Sequence, residues 1–276
     1  MMPVTEPYPP LPDMMRLIGE AGRRLMQIGA CEGAAGNISV HVGWETFAER
    51  YFPREDKIDL PIAVPELAGK LFIVTGSGRR LGEIADDPEA NLCLIRISDG
   101  GTTGVLMTSP RAIFEKPTSE FNTHLALHKQ AIVRDNLNFH AIIHAQPLHL
   151  TYLSHITDYQ DTVRLSRRIL RWQPETIVNL PMGVAYLPFE LPGSPELMQA
   201  TIKAMDEGHR VVLWAKHGVM ARSDMSVKRA ADRIEYAETG AHYEWLDLSA
   251  GGKAGGLSED ELRRVSAKFG ANSPLF

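Results

Sequence analysis

The sequence has few cysteines, short apolar runs and little excess charge, and each shortage argues against a class of protein. Its two cysteines, Cys31 and Cys93, have no CxxC spacing, so neither a disulfide framework nor a cysteine zinc site is expected. Both are expected to be buried as small apolar residues. The longest apolar runs, such as LFIVTG and VVLWA, are far shorter than the ~20 residues that cross a bilayer. A net charge of −5 leaves no broad basic surface for nucleic acid or anionic lipid.

What remains is the composition of an ordinary globular protein. With 44% hydrophobic and 23% charged residues, a chain of 276 residues can bury a sizeable core. The first stretch, MMPVTEPYPPLPD, lacks the charged-then-apolar layout of a signal peptide, so a cytoplasmic location is expected. We predict a small-molecule ligand rather than a nucleic acid or a membrane.

The order of helical and strand patterns predicts one α/β domain over residues 1–276, with a proline-rich arm at residues 1–12. Its central sheet is expected to be mainly antiparallel and flanked by helices. Residues 53–69 are predicted to form a loop. The predicted strands are GNISVHV, KLFIVTG, CLIRIS, GVLMTS, FHAIIHA, ETIVNL and RVVLWAKHG. The predicted helices lie within residues 12–33, 117–135, 147–156, 158–171, 195–207, 223–248 and 258–269.

Three turns carry groups suited to an anion. GAAGNIS and TGSG combine unhindered backbone N–H groups with side-chain donors, and PTSE places hydroxyls at the start of a helix, where the free N–H groups favour an anion. Taken alone, each has a simpler interpretation as a turn or a helix cap. The candidate phosphate contacts are Asn37, Thr75, Gly76, Ser77, Gly78, Thr118 and Ser119.

Two histidines are candidate metal ligands because each ends an apolar strand and precedes a turn. These are His144 in HAQP and His217 in HGV, and we expect them to meet at one end of the sheet. Residues 144 and 146 share a face of the strand, and the second position holds Gln146. Its neutral amide oxygen suits harder cations and adds little zinc affinity. A site of His144, His217 and a carboxylate is therefore expected to be weak or to select another divalent ion.

Glu120, His124 and His128 form one stripe along a predicted helix. One interpretation is a solvated or hydrogen-bonded helix face. The other makes Glu120, at the helix start beside an anion-binding turn, a general base acting on a carbonyl substrate next to a metal. The residues leave both interpretations open.

The order of the motifs carries a resemblance over roughly residues 12–272. The motifs are GNIS, FIVTGSG, DPEANL, PTSE followed by HLALH, IIHAQP, LPGS, VVLWAKHGV and KFG. The sequence resembles the class II aldolase/adducin family. The resemblance implies an α/β sandwich assembled as a homotetramer, with its active site near the subunit interface.

The resemblance also implies an activity and residue roles. The activity is metal-dependent cleavage of a ketose 1-phosphate, in particular L-rhamnulose 1-phosphate, to dihydroxyacetone phosphate and L-lactaldehyde through an enediolate that the metal, normally zinc, stabilises. Glu120 matches the general acid/base, and Glu175 matches an acidic residue near the aldehyde end, across a subunit interface. His144 and His217 match two of three histidine ligands. Asn37, Ser77 and Ser119 match phosphate contacts.

Two positions depart from the family pattern. Gln146 stands where the middle ligand histidine is expected, which implies weaker zinc binding or a site for cobalt or manganese, and Ala34 stands where an asparagine is common in the first phosphate turn. Two other functions stay open: sugar-phosphate epimerisation or decarboxylation at the same kind of site, and a non-catalytic adducin-like oligomerisation module. A module of that kind has no chemical need for Glu120, His144 and His217.

Overall fold

The computed structural model describes residues 4–276 and is built on a nine-stranded sheet. Its strands are β1 (Asn37–Val42), β2 (Arg54–Asp59), β3 (Leu71–Thr75), β4 (Leu92–Ile97), β5 (Thr103–Thr108), β6 (Phe139–Ala145), β7 (Ala185–Leu187), β8 (Val211–Trp214) and β9 (Gly218–Ser223). They lie in the order β2-β5-β4-β3-β1-β6-β9-β8-β7. All neighbouring pairs are antiparallel except β7 and β8, which confirms the mainly antiparallel α/β fold expected from the sequence.

Helices cover both faces of the sheet. They are α1 (Leu11–Gln27), α2 (Pro88–Asn91), α3 (Phe121–Asp135), α4 (Leu148–Leu153), α5 (Thr162–Leu170), α6 (Pro174–Asn179), α7 (Pro195–Asp206), α8 (Val227–Ser249) and α9 (Glu259–Phe269). The largest apolar cluster joins α1, α4, α5 and α8 to one face, while α3 and α7 pack on the other. Across residues 4–276, none of the helices is both long and apolar enough to cross a membrane.

Strand β1 is buried on both faces, and its alternating side chains differ in chemistry. Ile38 and Val40 belong to the apolar cluster under α1 and α8. Asn37, Ser39 and His41 point the other way, because successive side chains of a strand leave on opposite faces. The second set is polar and fully or almost fully buried, so this face of β1 must find its hydrogen-bond partners inside the protein.

The predicted loop over residues 53–69 is wrong in part, since it contains β2. This strand, REDKID, lies at the edge of the sheet and pairs with β5 through its backbone. Five of its six side chains are exposed and the sixth is half-buried. No apolar face therefore marks it in the sequence, and charged side chains are usual on an edge strand.

The predicted strand ETIVNL is also wrong, because these residues belong to α6. Pro174 occupies the first helical position, where its missing N–H costs nothing, and Glu175 follows in the first turn. The β-branched Thr176 and Ile177 favour a strand locally, yet both are buried in the packed helix. Tertiary packing overrides the local preference here.

The predicted strand RVVLWAKHG contains β8, a tight turn and the first residue of β9. Trp214 at the end of β8 pairs with Gly218 at the start of β9, and Lys216 between them takes a positive φ of 62°. Its backbone N–H donates to Ser154 Oγ at 2.7 Å. His217 therefore lies in the turn rather than on a strand. The helix expected from residue 223 begins at Val227, because β9 continues to Ser223.

Candidate active site and metal centre

The first two anion-binding turns and the start of α3 meet at one end of the sheet. Asn37, the first residue of β1, pairs directly with His144 of β6. Thr75 Oγ1, at the end of β3, accepts a hydrogen bond from the Ile38 N–H at 3.1 Å. The next residue, Gly76, forms a β-bridge with Pro117. Three segments far apart in sequence therefore lie side by side, as their strand-end positions predict.

Glu120, His144 and His217 form a compact cluster at this end of the sheet. Their ligand atoms all lie within 4.8 Å of one another. The two Glu120 oxygens each face one imidazole, with 3.6 Å from Oε2 to His144 Nε2 and 3.6 Å from Oε1 to His217 Nε2. The side chains of Glu120 and His144 are 8% and 2% exposed, and that of His217 is 13% exposed, so the cluster opens towards solvent at His217.

Neighbouring groups fix the orientation of each member of the cluster. His144 Nδ1 donates to the Val219 carbonyl at 2.9 Å, which directs Nε2 towards Glu120. Trp214 stacks against His144 with ring centroids 5.0 Å apart and lies 5.2 Å from the His217 ring. Asn37 Nδ2 donates to Glu120 Oε2 at 2.8 Å. Trp214 was not predicted from the sequence, although its place three residues before His217, at the end of a strand, is a signal.

The charge state of the cluster follows from its burial and its partners. Burial raises the pKa of Glu120, but His144, the Asn37 amide, His217 and His124 together hold the pKa of its carboxyl below the ordinary value. Burial, together with the neighbouring His144, lowers the pKa of His217, although Glu120 acts in the opposite direction. The arrangement favours a carboxylate beside an uncharged His217.

This donor set fits a divalent transition metal. Two imidazole nitrogens and one carboxylate oxygen form a common set of three protein ligands at catalytic zinc sites, which leaves a position for substrate. The His144 hydrogen bond to a backbone carbonyl is the usual support for a ligand histidine. His217 Nδ1 is buried without a partner, so only its Nε2 is engaged in the cluster.

Gln146 lies beside the cluster, directly after β6. Its backbone N–H donates to the Ala30 carbonyl at 2.7 Å. Its side chain lies against Gly218, where an added Cβ would come within 3.0 Å of Gln146 Cγ. Gln146 and His217 line the same cavity of about 530 Å³, together with Cys31, Tyr152 and others. Gln146 is thus next to His217, and its role as a ligand stays a prediction.

The predicted phosphate contacts fall into two groups. Thr75 and Thr118 are buried and bonded within the scaffold, since the Thr118 N–H donates to the Thr75 carbonyl at 3.1 Å. Ser77 is half-buried, and both Gly78 and Ser119 are exposed, so these three can reach a ligand. Gly76 and Asn37 are buried beneath them. The side-chain amide of Asn37 also donates a hydrogen bond to Glu120, which the sequence did not suggest.

Glu175 lies away from the cluster. It is exposed on the first turn of α6, which packs against α5, α8 and α9. The cluster lies on α3, on β6 and in the turn before β9. Among the described residues, the carboxylates and imidazoles gathered there are Glu120, His144 and His217. One copy of the chain therefore does not bring Glu175 to this site.

The burial and the hydrogen bonds of His124 and His128 show which kind of helix face these two residues of the stripe form. Both are 0% exposed. Ser39 Oγ lies 2.6 Å from His124 Nδ1 and 2.7 Å from His128 Nε2. They are a buried, hydrogen-bonded helix face rather than a solvated one.

Comparison with known proteins identifies the family. The model of the class II aldolase and adducin N-terminal domain matches residues 16–245. The chain belongs to the class II aldolase and adducin family. Members of its aldolase branch are metal-dependent, and the Glu120, His144 and His217 cluster is a possible site for the ion. The chain is accordingly a lyase of the class II aldolase type.

Individual class II aldolases match over most of their length. A rhamnulose-1-phosphate aldolase of Bacteroides thetaiotaomicron is 28% identical over 271 residues, 98% of each chain. One of Escherichia coli K12 is 33% identical over 248 residues, 88% of each chain. A solved structure of a sugar-phosphate aldolase from Thermotoga maritima has a TM-score of 0.71 at 30% identity and covers 87% of this chain and 97% of its own.

Proposed function

We propose that this class II aldolase cleaves L-rhamnulose 1-phosphate to dihydroxyacetone phosphate and L-lactaldehyde. The observation that carries the proposal is the Glu120, His144 and His217 cluster, which lies directly beside turns that can hold a phosphate. The proposal gains support from two rhamnulose-1-phosphate aldolases, which are 28% and 33% identical to this chain over 98% and 88% of its length.

A divalent ion would be held by Nε2 of His144, Nε2 of His217 and a Glu120 oxygen, with the Gln146 amide oxygen as a predicted further ligand. Zinc is the first candidate, because imidazole and carboxylate ligands suit it, and cobalt and manganese are the alternatives. When bound, the ion supplies Lewis-acid chemistry, which stabilises negative charge on the substrate oxygens.

Glu120 is the group placed to move a proton. In cleavage, the bond between C3 and C4 of the ketose breaks, its electron pair stays with C3, and the C4 hydroxyl loses its proton to become the aldehyde. A proton must then be added at C3: in our proposal the Glu120 carboxylate takes up a proton from solvent and passes it to C3, while the C4 proton leaves to solvent through Glu175. The Asn37 amide holds Oε2 of this carboxyl in place, so the proton would be exchanged at Oε1 while that oxygen is not engaged with the ion.

The phosphate would rest on the exposed side of the two turns. Ser77, Gly78 and Ser119 offer a hydroxyl, a backbone N–H and a second hydroxyl beside the start of α3. Thr75, Gly76 and Thr118 hold these turns together from beneath. Asn37 Nδ2 donates one of its two N–H groups to Glu120, so a contact with the phosphate would use the other.

Glu175 takes part in this proposal only from a second copy of the chain. We place it at the aldehyde end of the substrate, where it would accept the C4 hydroxyl proton, in a homotetramer whose sites lie near the subunit interfaces. Its exposed position on α6 is consistent with a contact to another copy. A Glu175→Gln variant mixed with a Glu120→Gln variant would then regain activity in mixed tetramers.

The test is a substrate panel with the zinc-loaded protein, in which the release of dihydroxyacetone phosphate is followed. We expect cleavage of L-rhamnulose 1-phosphate to exceed that of L-fuculose 1-phosphate and of unphosphorylated L-rhamnulose by at least about tenfold in kcat/KM. Epimerisation or decarboxylation of a ketopentose phosphate without aldol cleavage would contradict the proposal. The absence of any reaction by the loaded protein would favour the oligomerisation module instead.

A further inference from the structure

The turn between β8 and β9 carries His217, and its backbone has a conformation that is unfavourable for its sequence. The His217 N–H donates to the Trp214 carbonyl at 3.1 Å, which closes the turn. Lys216, at the third position of this turn, has a φ of 62°. A positive φ at that position normally calls for glycine or asparagine, because the Cβ of other residues crowds the backbone. A contact from outside the turn is therefore needed to hold Lys216 in this conformation.

Ser154, the first residue after α4, provides that contact. It is 0% exposed, and its hydroxyl makes two hydrogen bonds. The hydroxyl donates to the Thr151 carbonyl at 2.6 Å and accepts the Lys216 N–H at 2.7 Å. Both directions are fixed by the partners, because a carbonyl can only accept and a backbone N–H can only donate. Ser154 thus binds the backbone of the residue that has the positive φ.

The helix that ends at Ser154 is itself firmly held. Pro147, at the start of α4, offers no side-chain cap. Glu238 of α8 takes that place, since its two oxygens accept the N–H groups of His149 at 3.0 Å and of Leu150 at 2.9 Å. Leu150 is also fully buried in the apolar cluster beneath the sheet. Helix α4 is therefore bonded to α8 at one end and to the turn at the other.

His217 depends on its backbone for orientation more than His144 does. A ligand histidine normally bonds through its second ring nitrogen, and that bond fixes the ring. His144 has such a bond, from Nδ1 to the Val219 carbonyl. His217 Nδ1 is buried and has no hydrogen-bond partner among residues 4–276. The direction of His217 Nε2 is therefore set by the turn and by packing against the Trp214 ring, whose centroid lies 5.2 Å away.

The turn also packs closely against the strand that carries His144. An added Cβ at Gly218 would lie 2.4 Å from the Ala145 carbonyl oxygen and 3.1 Å from His144 Cε1. The rings of His144 and His217 have centroids 4.8 Å apart. A shift of the turn would therefore change the distance between the two imidazoles.

We infer that Ser154 is a positioning residue for the candidate metal centre. By accepting the Lys216 N–H it holds the turn in the conformation that directs His217 Nε2 towards Glu120, 3.6 Å away. It contacts neither of the imidazoles and acts only through the backbone of the turn. The inference rests on the proposed function in one respect, that His217 binds the ion.

Zinc affinity, measured by competition with a chelating dye, tests the positioning role. Ser154→Ala removes the acceptor of the Lys216 N–H, and we expect it to raise the zinc Kd about tenfold. Ser166→Ala is the matched control, because Ser166 in α5 is also 0% exposed and accepts a backbone N–H, that of Val184, at 3.0 Å. It should keep the Kd of the wild-type protein. Equal zinc affinity in the two variants would overturn the inference.

Two variants of the exposed Lys216 test the same dependence without changing the core. Lys216→Gly and Lys216→Val both remove the ammonium group, so they are matched in charge. Glycine adopts a positive φ freely, whereas β-branched valine strongly disfavours it. We expect zinc to bind Lys216→Val about tenfold more weakly than Lys216→Gly. Equal affinity in this pair would show that the conformation of the turn does not set the metal centre, and would overturn the inference even if Ser154→Ala does not fold.

Hydrogen exchange at the Lys216 amide of the metal-free protein separates this inference from the proposed function. The exchange should be at least about tenfold faster in Ser154→Ala than in wild type, and unchanged in Ser166→Ala. Equal exchange in all three proteins would overturn the hold of Ser154 on the turn while leaving the aldolase proposal in place. If the wild-type protein binds no zinc but the exchange rates are as expected, the proposed function fails and the hold of Ser154 on the turn stands.

Discussion

Residue 146 is where the candidate metal centre departs from the histidine expected of the family. Gln146 lies against Gly218 and lines the cavity that also contains His217, so a longer or more basic ligand at this position can approach the same ion. The cluster already offers three donors without it. In the proposed site Glu120 would complete the ligand set, so we expect metal binding to survive in a weaker form despite the glutamine.

Gln146→His is expected to tighten zinc binding by about tenfold to a hundredfold, because an imidazole replaces a poor amide ligand. Zinc affinity is measured by competition with a chelating dye. Gln199→His, exposed on α7, is the matched control for an added imidazole. Equal zinc affinity in wild type and Gln146→His would show that residue 146 does not face the ion.

Glu120→Gln is expected to lower kcat by about 10²–10⁴-fold, because the amide cannot exchange a proton yet still accepts the Asn37 hydrogen bond. The comparison is made at saturating zinc, so that weaker metal binding does not enter. Glu196→Gln, exposed on α7, serves as the control. Full turnover in Glu120→Gln would remove this residue from the mechanism.

At the scale of elements, the site depends on turns that other segments hold in place. The turn after β3 is fixed by the Gly76 N–H bond to Asn91 and by the bridge to Pro117, and the Phe114 ring packs directly on Gly76. An added Cβ at Gly76 would lie 2.2 Å from that ring. The turn therefore needs glycine for a close approach rather than for an unusual φ.

Gly76→Ala is expected to destabilise the protein by about 1–3 kcal/mol, since the new methyl group must displace Phe114 or the turn. It should also raise KM for the sugar phosphate, because Ser77 and Gly78, which are proposed to contact the phosphate, directly follow Gly76 in the same turn. Denaturant unfolding measures the first effect and steady-state kinetics the second. Gly255→Ala, which has open space around it, should change neither. A Gly76→Ala protein as stable as wild type would refute the close packing.

Sequence patterns identified the elements that bury one apolar face and missed those that do not. Alternation in β1 and β6 and helical spacing in α3 and α7 gave these elements correctly. The exposed edge strand β2 has no apolar face, and α6 is short and rich in β-branched residues, so local pattern misleads in both. The partners of His124 and His128 could not be found in the same way, because Ser39 and His140 lie on other elements.

At the scale of the whole molecule, buried neutral histidines couple the fold to pH. Burial lowers the pKa of His41 to about 4 and that of His124 to about 3, and the pKa values of His128 and His140 are lowered as well. In the unfolded chain a histidine titrates near 6.5. Between these values the unfolded state binds more protons, so stability rises with pH across this window and is lost as the pH falls below about 6.5.

The free energy of unfolding should therefore fall by about 1.4 kcal/mol per pH unit for each of these histidines once the pH is well below 6.5. Denaturant unfolding of the metal-free protein at pH 7, 6 and 5 measures it. For His41 the loss continues to about pH 4, and for His124 to about pH 3. A stability that does not change between pH 7 and pH 5 would contradict the neutral, buried histidines.

The sequence predicted the family of this protein more fully than it predicted how copies of the chain assemble. Motif order predicted the family, and strand ends predicted that His144 and His217 would meet; Glu120 joins them from the start of α3. Glu175 lies apart from them on α6, and no pattern within one chain shows which surface a second copy would cover. Contacts between copies depend on shape, which local sequence does not encode.

The central claim is that an ion held by Glu120, His144 and His217 is required for aldol cleavage. The most direct measurement is a zinc titration of the metal-free protein while the release of dihydroxyacetone phosphate from L-rhamnulose 1-phosphate is followed. We expect no activity without metal, and a linear rise that reaches its plateau at one zinc ion per chain. Full activity in the metal-free protein, or none with one zinc bound per chain, would contradict it.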